Sequence, residues 1–327
     1  MSKPKILFAC TIADVDAKAR ISNYADIIEM DKDPDAILQH IPGKAGLIVP
    51  YTPDKLVTRE VIDRGTDLQL VGTTYGGVRQ NVDEEYALEK GLTVIHTGPS
   101  RQRPMAEYTL ALVLSSLLQI HNYHHDMRNG EAWPRFKYPR TRILHQRTVG
   151  IIGMGMIGRA IAELFKCFTS DIRVFSRHLS DAEANAQGMQ KLSLEEIFKQ
   201  CEVIILAGGY TPETHHMIKK CHFDAMQENG LFVNIARGQM VDEQAMIEAV
   251  QTRSIYLALD VFESEPLSAD SSLRNNDRVL LTPHRANNAI EFEQRWQCLA
   301  DEIERFFTGK PPESALTPDR AKVMSSS

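Results

Sequence analysis

The chain has 327 residues, 43% of them hydrophobic, and carries 37 Lys and Arg against 43 Asp and Glu, a formal net charge of −6. That length suits two cores better than one, and the acidic balance argues against a general nucleic-acid or membrane-surface binder, which needs a basic excess. Five scattered cysteines (Cys10, Cys167, Cys201, Cys221, Cys298) without CxxC spacing read as reduced thiols of a cytoplasmic protein and not as a disulfide framework.

"MSKPKILFAC" runs straight into a strand-like stretch with no basic-then-apolar leader, so no secretory signal is visible. From residue 5 to 97, β-rich runs ("KILFA", "DIIEM", "AGLIVP", "LQLVGTT", "TVIHT") alternate with amphipathic segments ("DPDAILQHI", "TREVIDRG", "NVDEEYALEKG"). Alternation at this spacing predicts parallel strands joined by crossover helices. "RPMAEYTLALVLSSLLQIHNYHHDM" then predicts one long helix over 103–127. Its apolar part is shorter than the roughly 18 residues a membrane span needs. The three histidines in "HNYHHDM" are read as surface or interdomain packing, and no metal site is expected there.

A Pro- and Arg-rich stretch, "EAWPRFKYPRTRILHQR", precedes a second alternating series: "TVGIIG", "DIRVFSR", "CEVIILAG", "GLFVNIA", "IYLALDVF" and "RVLLTPH", with helices between. A last helix, "IEFEQRWQCLADEIERFFTGK", follows, and the tail "PPESALTPDRAKVMSSS" predicts irregular chain, disordered at its end. The expected fold class is α/β with two doubly wound parallel-sheet domains.

The most informative stretch is "TVGIIGMGMIGRAIAELF". Its GxGxxG sits between a strand and a helix, where the pyrophosphate-binding mechanism requires it. Gly153 permits the tight turn, Gly155 lets the backbone approach a phosphate, and Gly158 allows close helix–strand packing. The helix that opens at Met156 and Ile157 offers free N–H groups and the positive end of its dipole. A ribose-binding carboxylate is expected about 20 residues on. Ser176, Arg177 and His178 stand there instead. A hydroxyl beside a guanidinium suits a 2′-phosphate, so NADP(H) is favoured, with NAD possible.

Three later strand ends converge on one chemistry: "NIARG" carries Arg237, "LDVFESEP" carries Asp260 and Glu265, and "LTPHRANNA" carries His284. Hydride transfer to a carbonyl carbon needs a proton carrier, and histidine titrates near neutrality. A carboxylate such as Glu265 on the far ring nitrogen fixes the tautomer and stabilises the imidazolium. A guanidinium such as Arg237 binds a substrate carboxylate bidentately and polarises the adjacent carbonyl.

These motifs, in this order, resemble the D-isomer-specific 2-hydroxyacid dehydrogenase family over residues 45–310. The resemblance implies catalytic roles for Arg237, Glu265 and His284. It implies cofactor contacts from the glycine turn, Ile235, Ala236, Arg237, Asp260, His284 and Ala286. In "TTYGGV", Tyr75, Gly76, Gly77 and Val78 are the implied substrate loop. It also implies a Rossmann cofactor domain (121–290) inserted into a flavodoxin-like substrate domain (1–120 and 291–327). The implied activity is reduction of a small 2-ketoacid, or oxidation of the D-2-hydroxyacid, by a homodimer. A dinucleotide-sensing corepressor, or an enzyme acting on a phosphonate or other anion with the same residues, are the alternatives.

The chain departs from the family pattern at several places: Arg101, Gln102, Arg103 and Pro104; Gly208, Gly209 and Tyr210; Met154 and Met156; and Arg285, in a slot that is usually aliphatic. Arg285 either faces solvent or pairs with Glu291 or Glu293, or else, with Arg101 or Arg103, meets a second anionic group on substrate or cofactor.

Overall fold

The computed structural model describes residues 3–323. The chain forms two compact units, one from its two ends (up to Arg101 and from Ala289 on) and one from its middle, Gln102–Asn288.

In the first unit, β1 (Lys5–Phe8), β2 (Asp26–Glu29), β3 (Gly46–Val49), β4 (Leu70–Thr73) and β5 (Thr93–His96) form a wholly parallel sheet in the order β2-β1-β3-β4-β5. Both faces are covered, which is why the strands are continuous apolar runs. Successive side chains alternate between faces. Leu7, Leu47, Val71 and Val94 pack with Ile37, Ile41, Val61 and Ile62 on one side. Ile6, Phe8, Ile48 and Leu70 pack with Ile21 and with Trp296, Leu299 and Ile303 of the helix Arg295–Phe307 on the other. Asp14, Asp33 and Thr58 cap the crossover helices by accepting backbone N–H bonds.

The tail is more ordered than its composition predicts. Leu316 is buried and donates its N–H to Val94 O at 2.8 Å, and a short helix covers Pro318–Val323. Two apolar side chains, Leu316 and Ala321, join the first core and hold it. The expected disorder at the extreme end lies outside the described residues.

The second unit holds seven parallel strands: β6 (Val149–Ile152), β7 (Ile172–Phe175), β8 (Gln190–Lys191), β9 (Val203–Leu206), β10 (Leu231–Asn234), β11 (Tyr256–Leu259) and β12 (Val279–Leu281), in the order β12-β11-β10-β9-β6-β7-β8. From β6 onward this is the dinucleotide-fold order with one added edge strand, and its order reverses between β6 and β9. β8 is absent from the sequence reading because two polar residues carry no periodicity.

The expected long helix is two helices, Gln102–Leu117 and Ile120–Arg128, broken at Gln119, which adopts φ 56°. Its Nε2 and its backbone N–H both turn back to Ser116 O, ending the ladder. Ala106, Leu112, Val113 and Leu117 pack with Val149, Ile161 and Phe165. The chain therefore crosses between units at 101/102 and 288/289, against 120/121 and 290/291 in the reading of the sequence. No helix among the described residues is long and apolar enough to cross a membrane.

Candidate functional site

Because all seven strands of the second unit are parallel, their C-terminal ends share one edge, the edge on which open α/β sheets bind ligands. At the switch point, Gly153 adopts φ +100°, and a Cβ there would lie 2.5 Å from Gly208 Cα. The Gly208 departure is thus a close backbone approach matched to Gly153. A Cβ on Gly158 would fall 1.9 Å from Gly153 O, whereas one on Gly155 would meet nothing within 4 Å. Gly155 therefore borders open space at the start of the helix Met156–Phe165, whose N-terminus has no side-chain cap. Bare N–H groups facing open space fit a pyrophosphate. Met154 belongs to the core, while Met156 stands exposed. Beyond β7, Ser176 is half-buried and Arg177 and His178 are exposed; the Glu213 carboxyl is held below its usual range first by a hydrogen bond from Thr211 and last by the Arg177 charge.

His284 sits in the loop after β12 with φ 52°, a region non-glycine residues enter only when held there. The holding group is Asp260, which is fully buried. Its backbone O accepts from His284 N (2.8 Å), and its carboxylate accepts from Thr282 Oγ1 (2.6 Å), Arg285 N (2.9 Å) and Ala286 N (2.9 Å). Tyr108 also faces this group; burial, partly offset by a hydrogen bond to Thr282, raises its pKa, and the Asp260 charge adds to the rise.

His284 Nδ1 lies 2.7 Å from Glu265 Oε2, and Glu265 Oε1 accepts from Phe262 N at 3.0 Å. Both side chains are 36% exposed. The carboxylate accepts, so the ring proton is on Nδ1 and Nε2 is left as the nitrogen for a reactant. A cavity of about 530 Å³ adjoins the pair, with Phe262, Leu267, Leu281 and Pro283 in its wall.

Arg237 is half-buried in the turn after β10, its Nη1 donating to Ala236 O at 2.8 Å. Asn234 shapes that turn: its Oδ1 accepts from Ala236 N and its Nδ2 donates to Arg237 O. Ile235 and Ala236 direct their side chains into the cores. A Cβ on Gly238 would lie 1.8 Å from the Phe262 carbonyl carbon, so the Arg237 turn and the Glu265 loop touch backbone to backbone. Sequence reasoning quoted Gly238 and Glu263 without giving them a task; only this contact reveals one.

Arg285 is exposed, and with the Asn288 amide turned oxygen-inward its guanidinium donates to that amide at 2.7 Å. In the first unit, Tyr75 packs against Tyr51 at 4.8 Å, and the Arg101 guanidinium covers its ring at 3.2 Å. Gly76 adjoins Arg101, Gly77 is open, and Val78 is buried. Arg103 pairs with Glu107 on its own helix.

Strand order, a glycine cradle at the switch point and a histidine–carboxylate pair on the same edge define a dinucleotide-dependent α/β oxidoreductase. The chain belongs to the D-isomer specific 2-hydroxyacid dehydrogenase family: the family's NAD binding domain matches residues 110–286. It is 31% identical over 263 residues to a D-3-phosphoglycerate dehydrogenase of Methanocaldococcus jannaschii, covering 80% of this chain and 49%, about half, of that one. A chain of Staphylococcus saprophyticus assigned by name to the 2-hydroxyacid dehydrogenases is 33% identical over 72% of this chain and 74% of its own. A solved structure from Pyrococcus horikoshii OT3 superposes with TM-score 0.80 at 26% identity, covering 98% of this chain and 97% of that one.

Proposed function

We propose that the protein reduces a small 2-ketoacid of the glyoxylate or hydroxypyruvate type to its D-2-hydroxyacid, with NADPH preferred over NADH. The observation that carries this reading is the 2.7 Å His284–Glu265 pair on the same sheet edge as the glycine cradle and the Arg237 turn. A dihydronicotinamide, when bound, supplies the hydride. Arg237 binds the substrate carboxylate and polarises the neighbouring carbonyl. His284 Nε2 gives its proton to the carbonyl oxygen, and Glu265 stabilises the charged ring before the transfer. The reverse direction uses the same groups with the proton moving back.

Gly155, Met156 and Ile157 would hold the pyrophosphate, placed by the tight turn at Gly153 and the close packing at Gly158, and Ser176 and Arg177 would take the 2′-phosphate. Ile235, Ala236 and Ala286 line the cofactor through their backbone, and Asp260 acts by fixing the His284 loop. Tyr75, Gly76 and Gly77 are the further substrate-binding residues of this reading, as is Arg285, whose exposed side chain suits an anionic group. Five free cysteines suit a cytoplasmic enzyme. The exposed Trp133 and Phe136 suit burial in a homodimer.

Initial rates with glyoxylate and hydroxypyruvate against NADPH and NADH test the reading. Turnover of neither ketoacid would overturn it, and an NADH preference of about tenfold or more would overturn the cofactor assignment. Arg177→Ala is expected to weaken NADPH by about tenfold and leave NADH unchanged, measured as KM for each dinucleotide.

A further inference from the structure

Glu265 has a neighbour of the same kind two residues away. Glu263 Oε1 lies 2.6 Å from His216 Nε2, so one loop carries two carboxylates, each on an imidazole from a different strand end. The two histidines share a backbone device. His216 has φ 46° and His284 φ 52°, two of five non-glycine residues with positive φ among those described. Strained backbone of this kind persists only where its surroundings over-determine it.

The surroundings of His216 tie three loops together. Its N–H, in the loop after β9, donates to Gln239 O at 2.9 Å, and Ile218 N donates to Met240 O at 3.0 Å. Gln239, in the turn that carries Arg237, donates from Nε2 to Glu263 O at 2.8 Å. Glu263, in the loop that carries Glu265, donates its N–H to Glu243 at 2.9 Å. On its other face the His216 ring stacks on His215 at 4.0 Å and 17°, and Tyr210 Oη meets His215 Nδ1 at 3.3 Å. Every polar atom of the Glu263 backbone, and its carboxylate, is thus engaged by one of the three loops or by Glu243.

We propose that His216 is a positioning residue for the reaction: with Glu263 and Gln239 it forms a second imidazole–carboxylate clamp that holds the Glu265 loop against the Arg237 turn. The clamp's catalytic consequence rests on the proposed function, while its mechanical consequence does not. Carboxyl-group placement is critical here, since a displacement of about 1 Å in a reacting group lowers rate by as much as a hundredfold.

The test compares wild type with His216→Leu, Glu263→Ala, the double variant and His216→Gln, whose amide still donates to Glu263. Two readouts are taken: steady-state glyoxylate reduction with NADPH, and hydrogen exchange of peptides covering 236–241 and 260–266. His216→Leu is expected to raise exchange in both peptides by about fivefold. It should lower kcat by about tenfold with the dissociation constant of NADPH unchanged. The double variant should be no worse than either single, and His216→Gln should recover most of the loss. Unchanged exchange in the singles, or losses that multiply in the double, would overturn the clamp. If His216→Leu does not fold, Glu263→Ala against wild type decides the same question by exchange. A wild type that turns over no 2-ketoacid would sink the proposed function, and the exchange experiment would still decide the clamp.

Discussion

At the scale of single residues, chemistry and stability separate cleanly. Glu265 and His284 are each 36% exposed, so removing their bond costs the fold little. Glu265→Gln keeps the shape but removes the charge that stabilises the imidazolium. We expect kcat for glyoxylate to fall by about a hundredfold or more while the thermal midpoint stays within about two degrees. A fall in the midpoint with kcat intact would contradict the assigned role. His96 behaves in the opposite way. It is buried at the end of β5, where its Nδ1 accepts from Gly98 N at 3.0 Å. Burial first, then the charges of Arg320 and Arg101, push its pKa down to about 4. In the unfolded chain the ring takes its proton near pH 6.5. The unfolded state therefore binds more protons between the two values. The stability that His96 contributes is present above pH 6.5 and is lost as pH falls toward 4, by about 3 kcal/mol in all. Urea unfolding of wild type and His96→Asn at pH 7 and pH 4.5 checks this. The gap between the two pH values should be smaller in the variant, and an equal gap would refute the assignment.

At the scale of elements, three glycines predict two kinds of failure. Gly155 opens on empty space and has φ −74°, so Gly155→Ala should fold and melt as wild type does. Its methyl group would occupy the phosphate approach, lowering NADPH affinity by about tenfold or more in a fluorescence titration. Gly158→Ala and Gly238→Ala place a Cβ 1.9 Å from Gly153 O and 1.8 Å from the Phe262 carbonyl carbon. Backbone cannot yield as a flexible side-chain end can. Each should lower unfolding free energy by several kcal/mol, of the order of 3, read by denaturant titration. If Gly155→Ala lost stability as they do, the open space beside it would not be a binding space. Helix capping is a smaller element-level contribution. Ser180 and Ser193 form reciprocal capping boxes with Glu183 and Glu196, each worth about 1 kcal/mol.

At the scale of the molecule, the two units have separate cores. The residues around Phe198, Phe223 and Phe232 and those around Ile151, Ile161 and Phe165 all belong to the continuous segment 102–288. The first unit is assembled from both chain ends, with the helix Arg295–Phe307 closing one face of its sheet. Arg20 supports that closure through Asp301 at 2.5 Å and Glu304 at 3.1 Å. A fragment of residues 102–288 expressed alone should fold cooperatively and bind NADPH, whereas residues 1–101 alone should not fold, because Trp296, Leu299 and Ile303 are missing from their core. Circular dichroism melts of the two fragments check this, and a non-cooperative melt of 102–288 would contradict it.

The sequence by itself determined every strand with an apolar period and the glycine turn between strand and helix, and it proposed Arg237, Glu265 and His284 as a group, because each depends on local pattern or on spacing within a motif. It could not show the break at Gln119, which depends on a side chain folding back on its own helix, or β8, which has no apolar residue. Nor could it show that Asp260, present in the motif, acts by fastening the His284 loop 25 residues on, through Arg285 N. The tertiary structure alone brought Glu263 to His216, 47 residues away, and set Gly238 against Phe262. Parallel strands explain the division. They deliver residues that are remote in sequence to one edge, where which loops touch is decided by strand order and backbone approach, neither of which any local pattern encodes.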